Sequence, residues 1–154
     1  MFQKWNIVKI QIHLKKSNAD NDPVITIKFG EVTKIEKLDS IDKKIYLDDL
    51  QHDKDTKLVI ERNDSNIYST QQPYHENNII IEKVVVDDFW EFNESFYTPI
   101  GVLDDDYRNY LEKIGKISLI EKQLVYNTHL FFNGRFEWEI KYPVRRCFFK
   151  DFER

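Results

Sequence analysis

The sequence has little of the residue types that build helical bundles, thiolate metal sites and phosphate-binding loops. Its 154 residues include one alanine, Ala19, one cysteine, Cys147, and four glycines. A single cysteine excludes an internal disulfide and a thiolate metal site, and four glycines leave little room for a phosphate cradle. Since alanine is the best intrinsic helix former, a helical bundle is also disfavoured.

Long apolar runs and an excess of positive charge are missing as well. No segment approaches the ~20 apolar residues that span a bilayer, and the N-terminal residues lack the apolar core of a secretory signal. The formal net charge is −4 and the pI is about 5.6, so no overall field attracts phosphates. We therefore expect no membrane span and no nucleic-acid partner.

The abundant residues are those that suit β-strands. The chain has 18 isoleucines and 14% aromatic residues, which favour a half-buried pleated surface. Apolar and polar residues alternate, or short apolar runs recur, between polar turns over residues 8–14, 25–29, 32–38, 44–47, 57–62, 67–69 and 136–142. This spacing predicts an all-β fold, an antiparallel β-sandwich of jelly-roll or C2-like type, formed by residues 1–154 as a single domain.

Four segments carry more specific predictions. Ile79–Val86 is almost continuously apolar, which indicates a central strand with both faces covered. Asn133-Gly134, between apolar runs, predicts a hairpin, and the acidic stretch 48–55 predicts a turn. Asp104 and the acids after it predict one short helix near 105–114, which Gly115 ends.

The last alternating strand separates a core face from a charged face. Phe136, Trp138 and Ile140 fall on one face and are predicted core anchors, while Glu137 and Glu139 share the other. Two such carboxylates could serve a hydrolase if one of them had a raised pKa. A solvated strand face is the simpler interpretation, and no catalytic residues are predicted.

Exposed rings and arginines are the candidates for ligand or partner contact. A flat ring can stack on a sugar face or anchor an interface, and arginine pairs with carboxylates or phosphates. The alternative is that the rings fill the core or close an open end of the sandwich. The predicted contact residues are Trp90, Phe92, Tyr97, Tyr68, Tyr74, Arg145 and Arg146.

Carboxylates are the candidates for a metal site. Asp87, Asp88 and Asp104 are predicted ligands for calcium, which prefers several converging oxygens. The calcium-loop pattern of alternating Asp residues with a Gly and a distant Glu is absent, so soluble acidic turns remain the alternative. The four histidines are scattered and give no support for zinc.

Two stretches of the second half of the chain carry a family resemblance. The run Asn78–Phe89 contains the pattern I-x-I-x-x-V-x-V-D-D, and Leu130–Ile140 contains an F-N-G strand with a tryptophan. Together they resemble small β-sandwich virion proteins of tailed bacteriophages, whose architecture is similar to carbohydrate-binding modules and C2-like domains. The end of the chain, Tyr142–Arg146, is more polar than this group leads us to expect.

The resemblance implies a non-enzymatic structural component of a virion, such as a tail, fibre, baseplate or capsid-surface subunit. It would be made in the host cytoplasm, located in the virion and bound to other virion proteins in a symmetric assembly. The alternative function is a glycan-binding module, similar to carbohydrate-binding modules, that contacts host surface polysaccharide with calcium as a candidate cofactor.

Overall fold

Strands make up most of the described part of the chain. The structure, a computed structural model, describes residues 6–17, 22–63, 78–93, 96–118, 128–130 and 133–149. The elements with described bounds are β1 (Ile7–Lys16), β2 (Val24–Phe29), β3 (Val32–Lys37), β4 (Asp42–Gln51), β5 (Thr56–Arg62), β6 (Ile79–Val86), β7 (Trp90–Phe92), β8 (Ile100–Leu103), α1 (Asp105–Lys113), β9 (Gly134–Ile140) and a 3₁₀ turn (Val144–Cys147).

The strands form two antiparallel sheets that enclose one apolar core. One sheet has the order β4-β1-β6-β7, and the other has the order β3-β2-β5-β9-β8. Neighbours in sequence often lie in different sheets, so the chain crosses between the layers repeatedly. The fold is a β-sandwich, as the sequence predicts.

Alternation along each strand explains which residues the core contains. In β1, Val8, Ile10, Ile12 and Leu14 are buried while the residues between them are exposed or half-buried. In β9, the predicted anchors Phe136, Trp138 and Ile140 are all buried. Because successive side chains of a strand point to opposite faces, one apolar residue in two suffices to form the core.

β4 is longer than the sequence indicates. It continues through Asp48 and Asp49 to Gln51, where the acidic stretch predicts a turn. The register shows a β-bulge at this point, because Val8 pairs with Leu50 but Ile10 pairs with Leu47. Asp49 takes a positive φ of 55°, a conformation that Asp tolerates better than most residues, so the strand absorbs the extra residue.

Two strand predictions need correction. β6 is central, between β1 and β7, but four of its eight residues are half-buried or exposed, Glu82 among them, so only one face is fully covered. The predicted hairpin at Asn133-Gly134 is wrong, because β9 already has β5 on one side and β8 on the other. Because both edges of β9 are hydrogen-bonded to other strands, neither edge is free to pair with a hairpin partner.

α1 packs on the core at the end of the sandwich where β9 begins. Tyr107 and Leu111 are buried, one turn apart, and the Asp104 N–H donates to the Asn133 carbonyl at 2.9 Å. Gly115 follows with a positive φ of 72°, which suits the end of a helix. Within the described ranges, no helix is long and apolar enough to cross a membrane.

Candidate functional site

A pocket of about 190 Å³ lies at the opposite end of the sandwich, where the chain leaves β9. Its walls come from the start of β1, the β4–β5 loop, the β6–β7 turn and the segment after β9. The lining residues are Val8, His52, Asp87, Trp90, Tyr142, Pro143, Val144 and Arg145. We call this the Trp90 pocket.

The β6–β7 turn sets one wall of the pocket. Asp87 and Asp88 both have positive φ, and the Phe89 N–H donates to the Val86 carbonyl at 3.2 Å, which is the pattern of a tight hairpin turn. Two hydrogen bonds to the Lys9 backbone fix Asp87. The Asp87 N–H donates to the Lys9 carbonyl at 2.9 Å, and Asp87 Oδ1 accepts from the Lys9 N–H at 3.0 Å. The turn therefore holds Asp87 beside Trp90.

The opposite wall is held by the residues around Tyr142. Its N–H donates to Asp55 Oδ1 at 2.8 Å, and its hydroxyl donates to Asn6 Oδ1 at 3.0 Å. The buried His52 ring lies edge-on to Tyr142 with centroids 5.5 Å apart, and His52 Nε2 lies 3.0 Å from the Ile140 carbonyl. These bonds leave the Tyr142 ring half-buried at the rim.

The two arginines of the 3₁₀ turn have different environments. Arg145 is exposed and lines the Trp90 pocket. Arg146 lies on the other side, where its Nη1 donates to Asp55 at 3.2 Å and to the Tyr142 carbonyl at 3.0 Å. Arg145 is thus available to a ligand, while Arg146 ties the turn to the β4–β5 loop.

A second depression of about 260 Å³ adjoins the Trp90 pocket. The two share Val8 and Asp87, and the second also has Lys9, Asp48 and Asp49 on its walls. The shared residues place the two hollows side by side, and we refer to the adjoining pair as the groove.

An aromatic cluster supports the pocket from the side of β7. The Trp90 ring lies 4.8 Å from Phe148 between centroids, and Phe148 stacks in turn on Phe92 at 5.2 Å and on Phe96 at 4.8 Å. Phe89, next to Trp90, is 74% exposed. The cluster therefore runs from the core to the surface, with Trp90 at its edge.

The structure brings Asp87 and Trp90, from the β6–β7 turn, together with Arg145, from a segment that is distant in sequence. The prediction that Phe92 contacts a ligand or partner is wrong, because its side chain is fully buried. Phe92 follows Trp90 by two residues on the inward face of β7 and lies over the core. Arg146 is bound by protein partners, as described above. Tyr68 and Tyr74 lie outside the described residues.

Tyr97 is half-buried, and its hydroxyl donates to the Glu139 carbonyl. Burial, and then the neighbouring Cys147 thiol, raise the pKa of Tyr97 well above its usual value. Burial also raises the pKa of the Cys147 thiol. Both groups stay protonated at neutral pH and serve the packing beneath the 3₁₀ turn.

The carboxylates predicted as metal ligands do not converge. Asp87 lies at the Trp90 pocket and Asp88 follows it in the β6–β7 turn, whereas Asp104 lies at the other end of β9, beside Asn133. Burial and the charge of Glu61 raise the pKa of Asp104. Among the described residues, no group of three or more His, Cys, Asp or Glu side chains could hold a metal ion.

The pKa of Glu137 is lowered, whereas a catalytic acid needs a raised pKa. Arg135 Nε donates to its Oε1 at 2.9 Å, and Lys57 Nζ lies 3.6 Å from its Oε2. The hydrogen bond from Arg135 lowers the pKa of Glu137, and partial burial opposes it only in part. A general acid needs a raised pKa, so Glu137 has the features of an ion-paired residue on a charged strand face.

Comparison with known proteins gives one structural likeness. The fold is similar to a solved carbohydrate-binding module, the selenomethionine form of vCBM60, described with a circular permutation that links two families of calcium-dependent carbohydrate-binding modules. The TM-score is 0.50 at 10% identity, over 86% of this chain and 90% of that chain. No family model and no curated protein matches the sequence. At this identity the likeness supports the β-sandwich fold.

Proposed function

We propose that the protein is a glycan-binding module and that the groove at the Trp90 pocket is its binding site. The observation that carries the proposal is the meeting of Trp90, Tyr142, Asp87 and Arg145 around one pocket. The fold likeness to a carbohydrate-binding module supports the same function.

The residue types match what a sugar offers. One face of a pyranose carries C–H groups that pack on an aromatic ring, and Trp90 and Tyr142 supply such rings. The ring hydroxyls are donors and acceptors, so a carboxylate such as Asp87 accepts from them and the Arg145 guanidinium donates to them. Because Asp87 is already held by Lys9, little side-chain entropy is lost on binding.

The dimensions favour a short stretch of glycan over a large ligand. A hollow of about 190 Å³ is below the usual size of a pocket for drug-sized molecules and suits a single sugar ring. The adjoining depression of about 260 Å³ extends the groove past Asp87. A second sugar of the same chain would lie there, beside Lys9.

Calcium is not part of the proposed binding chemistry. The structural neighbour is described with calcium-dependent families, but no group of three or more His, Cys, Asp or Glu side chains among the described residues of this chain could hold a metal ion. The contacts proposed here come from side chains alone.

A glycan array tests the proposal. Labelled wild-type protein should bind a defined set of glycans, and Trp90→Ala, which removes the ring, should lose them. Arrays with calcium and with a chelator measure whether an ion contributes. If the wild type binds no glycan in either condition, the proposed function is wrong.

The second candidate function is that of a structural component of a bacteriophage virion, and it is compatible with glycan binding. Its support is the sequence resemblance together with the exposed aromatic rings of Phe89, Phe96 and Phe149, which are 74%, 44% and 49% exposed. Such rings suit anchors at a protein interface. Mass spectrometry of purified particles should detect the chain at a fixed copy number, and its absence would remove this proposal.

A further inference from the structure

β3 is an edge strand with backbone groups that face outward. Among the described strands, only β2 is hydrogen-bonded to it. The Leu38 N–H donates to the Pro23 carbonyl at 2.8 Å, directly beyond the pair Val24 and Lys37. Because hydrogen-bonded pairs alternate along an antiparallel ladder, the even-numbered residues bond to β2 and the N–H and C=O of Ile35 face the open edge.

This edge carries the charged residues Lys34, Glu36 and Lys37 but lacks a β-bulge, another common protection against pairing. The register between β2 and β3 is regular over six residue pairs, with no bulge to twist the edge away. Ile35, at mid-strand, is 69% exposed, and Val32 is 42% exposed. A regular edge with an exposed isoleucine at its centre is a template for another strand.

The charges on β3 select a second copy of the same strand. Lys34 and Glu36 lie on either side of Ile35, 3.3 Å apart between Nζ and Oε1, with side chains 40% and 21% exposed. If two β3 strands meet antiparallel about a two-fold axis at Ile35, Lys34 of each copy faces Glu36 of the other. The pair formed by the two Ile35 residues is then a hydrogen-bonded one, which agrees with the outward direction of its backbone groups.

Neighbouring registers are less favourable. A two-fold axis at Lys34 places two lysines opposite each other, and an axis at Glu36 places two glutamates opposite each other. Like charges directly opposite across strands are destabilising, whereas opposite charges stabilise the pair. The charges of β3 therefore favour the register with its axis at Ile35 over these two neighbouring registers.

We propose that the protein forms a two-fold dimer through β3, which joins two five-stranded sheets into one continuous sheet. This proposal does not depend on glycan binding. If both hold, the dimer presents two grooves, and a repeating polysaccharide binds with higher avidity than a single sugar unit.

Analytical ultracentrifugation of the whole chain tests the dimer. The wild type should dimerise reversibly as its concentration rises to about 1 mM, since a small interface gives weak affinity. Ile35→Lys should be monomeric over the same range. Ile100→Lys is the matched control, because Ile100 is 68% exposed on the other edge strand, β8, and should dimerise as the wild type does.

Charge reversal tests the register. Glu36→Lys places lysines opposite each other and should weaken dimerisation about tenfold or more, and the double variant Lys34→Glu with Glu36→Lys should restore it. A thermal melt of each variant checks that it is folded. A monomeric wild type at 1 mM, an unaffected Ile35→Lys dimer, or a double variant as weak as Glu36→Lys would each overturn the proposal.

Discussion

The indole ring of Trp90 packs on the ring of Phe148 with centroids 4.8 Å apart, and this contact joins β7 to the 3₁₀ turn that carries Arg145. The contact places the Trp90 ring and the Arg145 guanidinium at the same pocket, although Trp90 and Arg145 are 55 positions apart in the sequence. The proposed function depends on this arrangement, and the first two predictions change one member of it at a time.

Trp90→Ala should reduce glycan affinity at least about tenfold, because stacking on the ring is lost. Its half-buried ring also packs on Phe148, so we expect a loss of stability of about 1–2 kcal/mol. Isothermal titration calorimetry measures the affinity and urea unfolding measures the stability. Full affinity in a folded Trp90→Ala protein would exclude Trp90 as a contact residue.

Arg145→Ala and Arg146→Ala should affect different properties. Arg145→Ala should weaken glycan binding by about tenfold, the value of one charge-assisted hydrogen bond, and leave stability within about 0.5 kcal/mol. Arg146→Ala removes the bonds to Asp55 and the Tyr142 carbonyl, so it should lower the melting temperature more. The same calorimetric titrations and thermal melts, run on both variants, would contradict the assignment if the two effects were exchanged.

Trp138→Ala should destabilise the protein by about 3–5 kcal/mol, because the ring is 2% exposed and its removal leaves a cavity in the core. Ile100→Ala, at a 68% exposed position, should change stability by less than about 0.5 kcal/mol. Urea unfolding at 25 °C measures both. Near wild-type stability of Trp138→Ala would mean that the faces of β9 are inverted.

Glu137 should contribute to stability in a pH-dependent way. Its pKa is lowered in the folded state, chiefly by the hydrogen bond from Arg135, so the folded protein favours the ionised form. The contribution is fully present above the unfolded value of about 4.3 and is lost as the pH falls through the lower folded value. Glu137→Gln should therefore lose less stability than the wild type between pH 6 and pH 2.

Urea midpoints measured at intervals across that pH range test the prediction. Glu139→Gln, two residues along the same strand face and exposed, is the matched control for the loss of one carboxylate from this face. Parallel profiles for Glu137→Gln and the wild type would show that the pair with Arg135 does not stabilise the fold.

Much of the fold could be predicted from the sequence, because strand alternation is a local signal. The core positions of β1 and β9 follow from the period of two. The predictions that failed depend on pairing between distant segments. Asn133-Gly134 resembles a hairpin locally, but the neighbours of β9 are β5 and β8, and the bulge that lengthens β4 is set by its pairing with β1.

The site was predictable only in part for the same reason. Trp90 and Arg145 were predicted as single exposed residues, since a ring or a guanidinium is a recognisable contact group. Tyr142 and His52 gave no signal, because their position at the pocket results from hydrogen bonds to Asn6 and the Ile140 carbonyl. Phe92 shares the phase of Trp90, and only its position over the core distinguishes the two.

The most direct test of the proposed site is a ¹⁵N-labelled NMR titration of the protein with the glycan that the array identifies. We predict that shift changes concentrate at Asp87, Trp90, Tyr142 and Arg145, including the Trp90 indole N–H, and leave the opposite end of the sandwich unchanged. Changes centred instead on Asp104 and α1, with none at the Trp90 pocket, would contradict the assignment of the binding site.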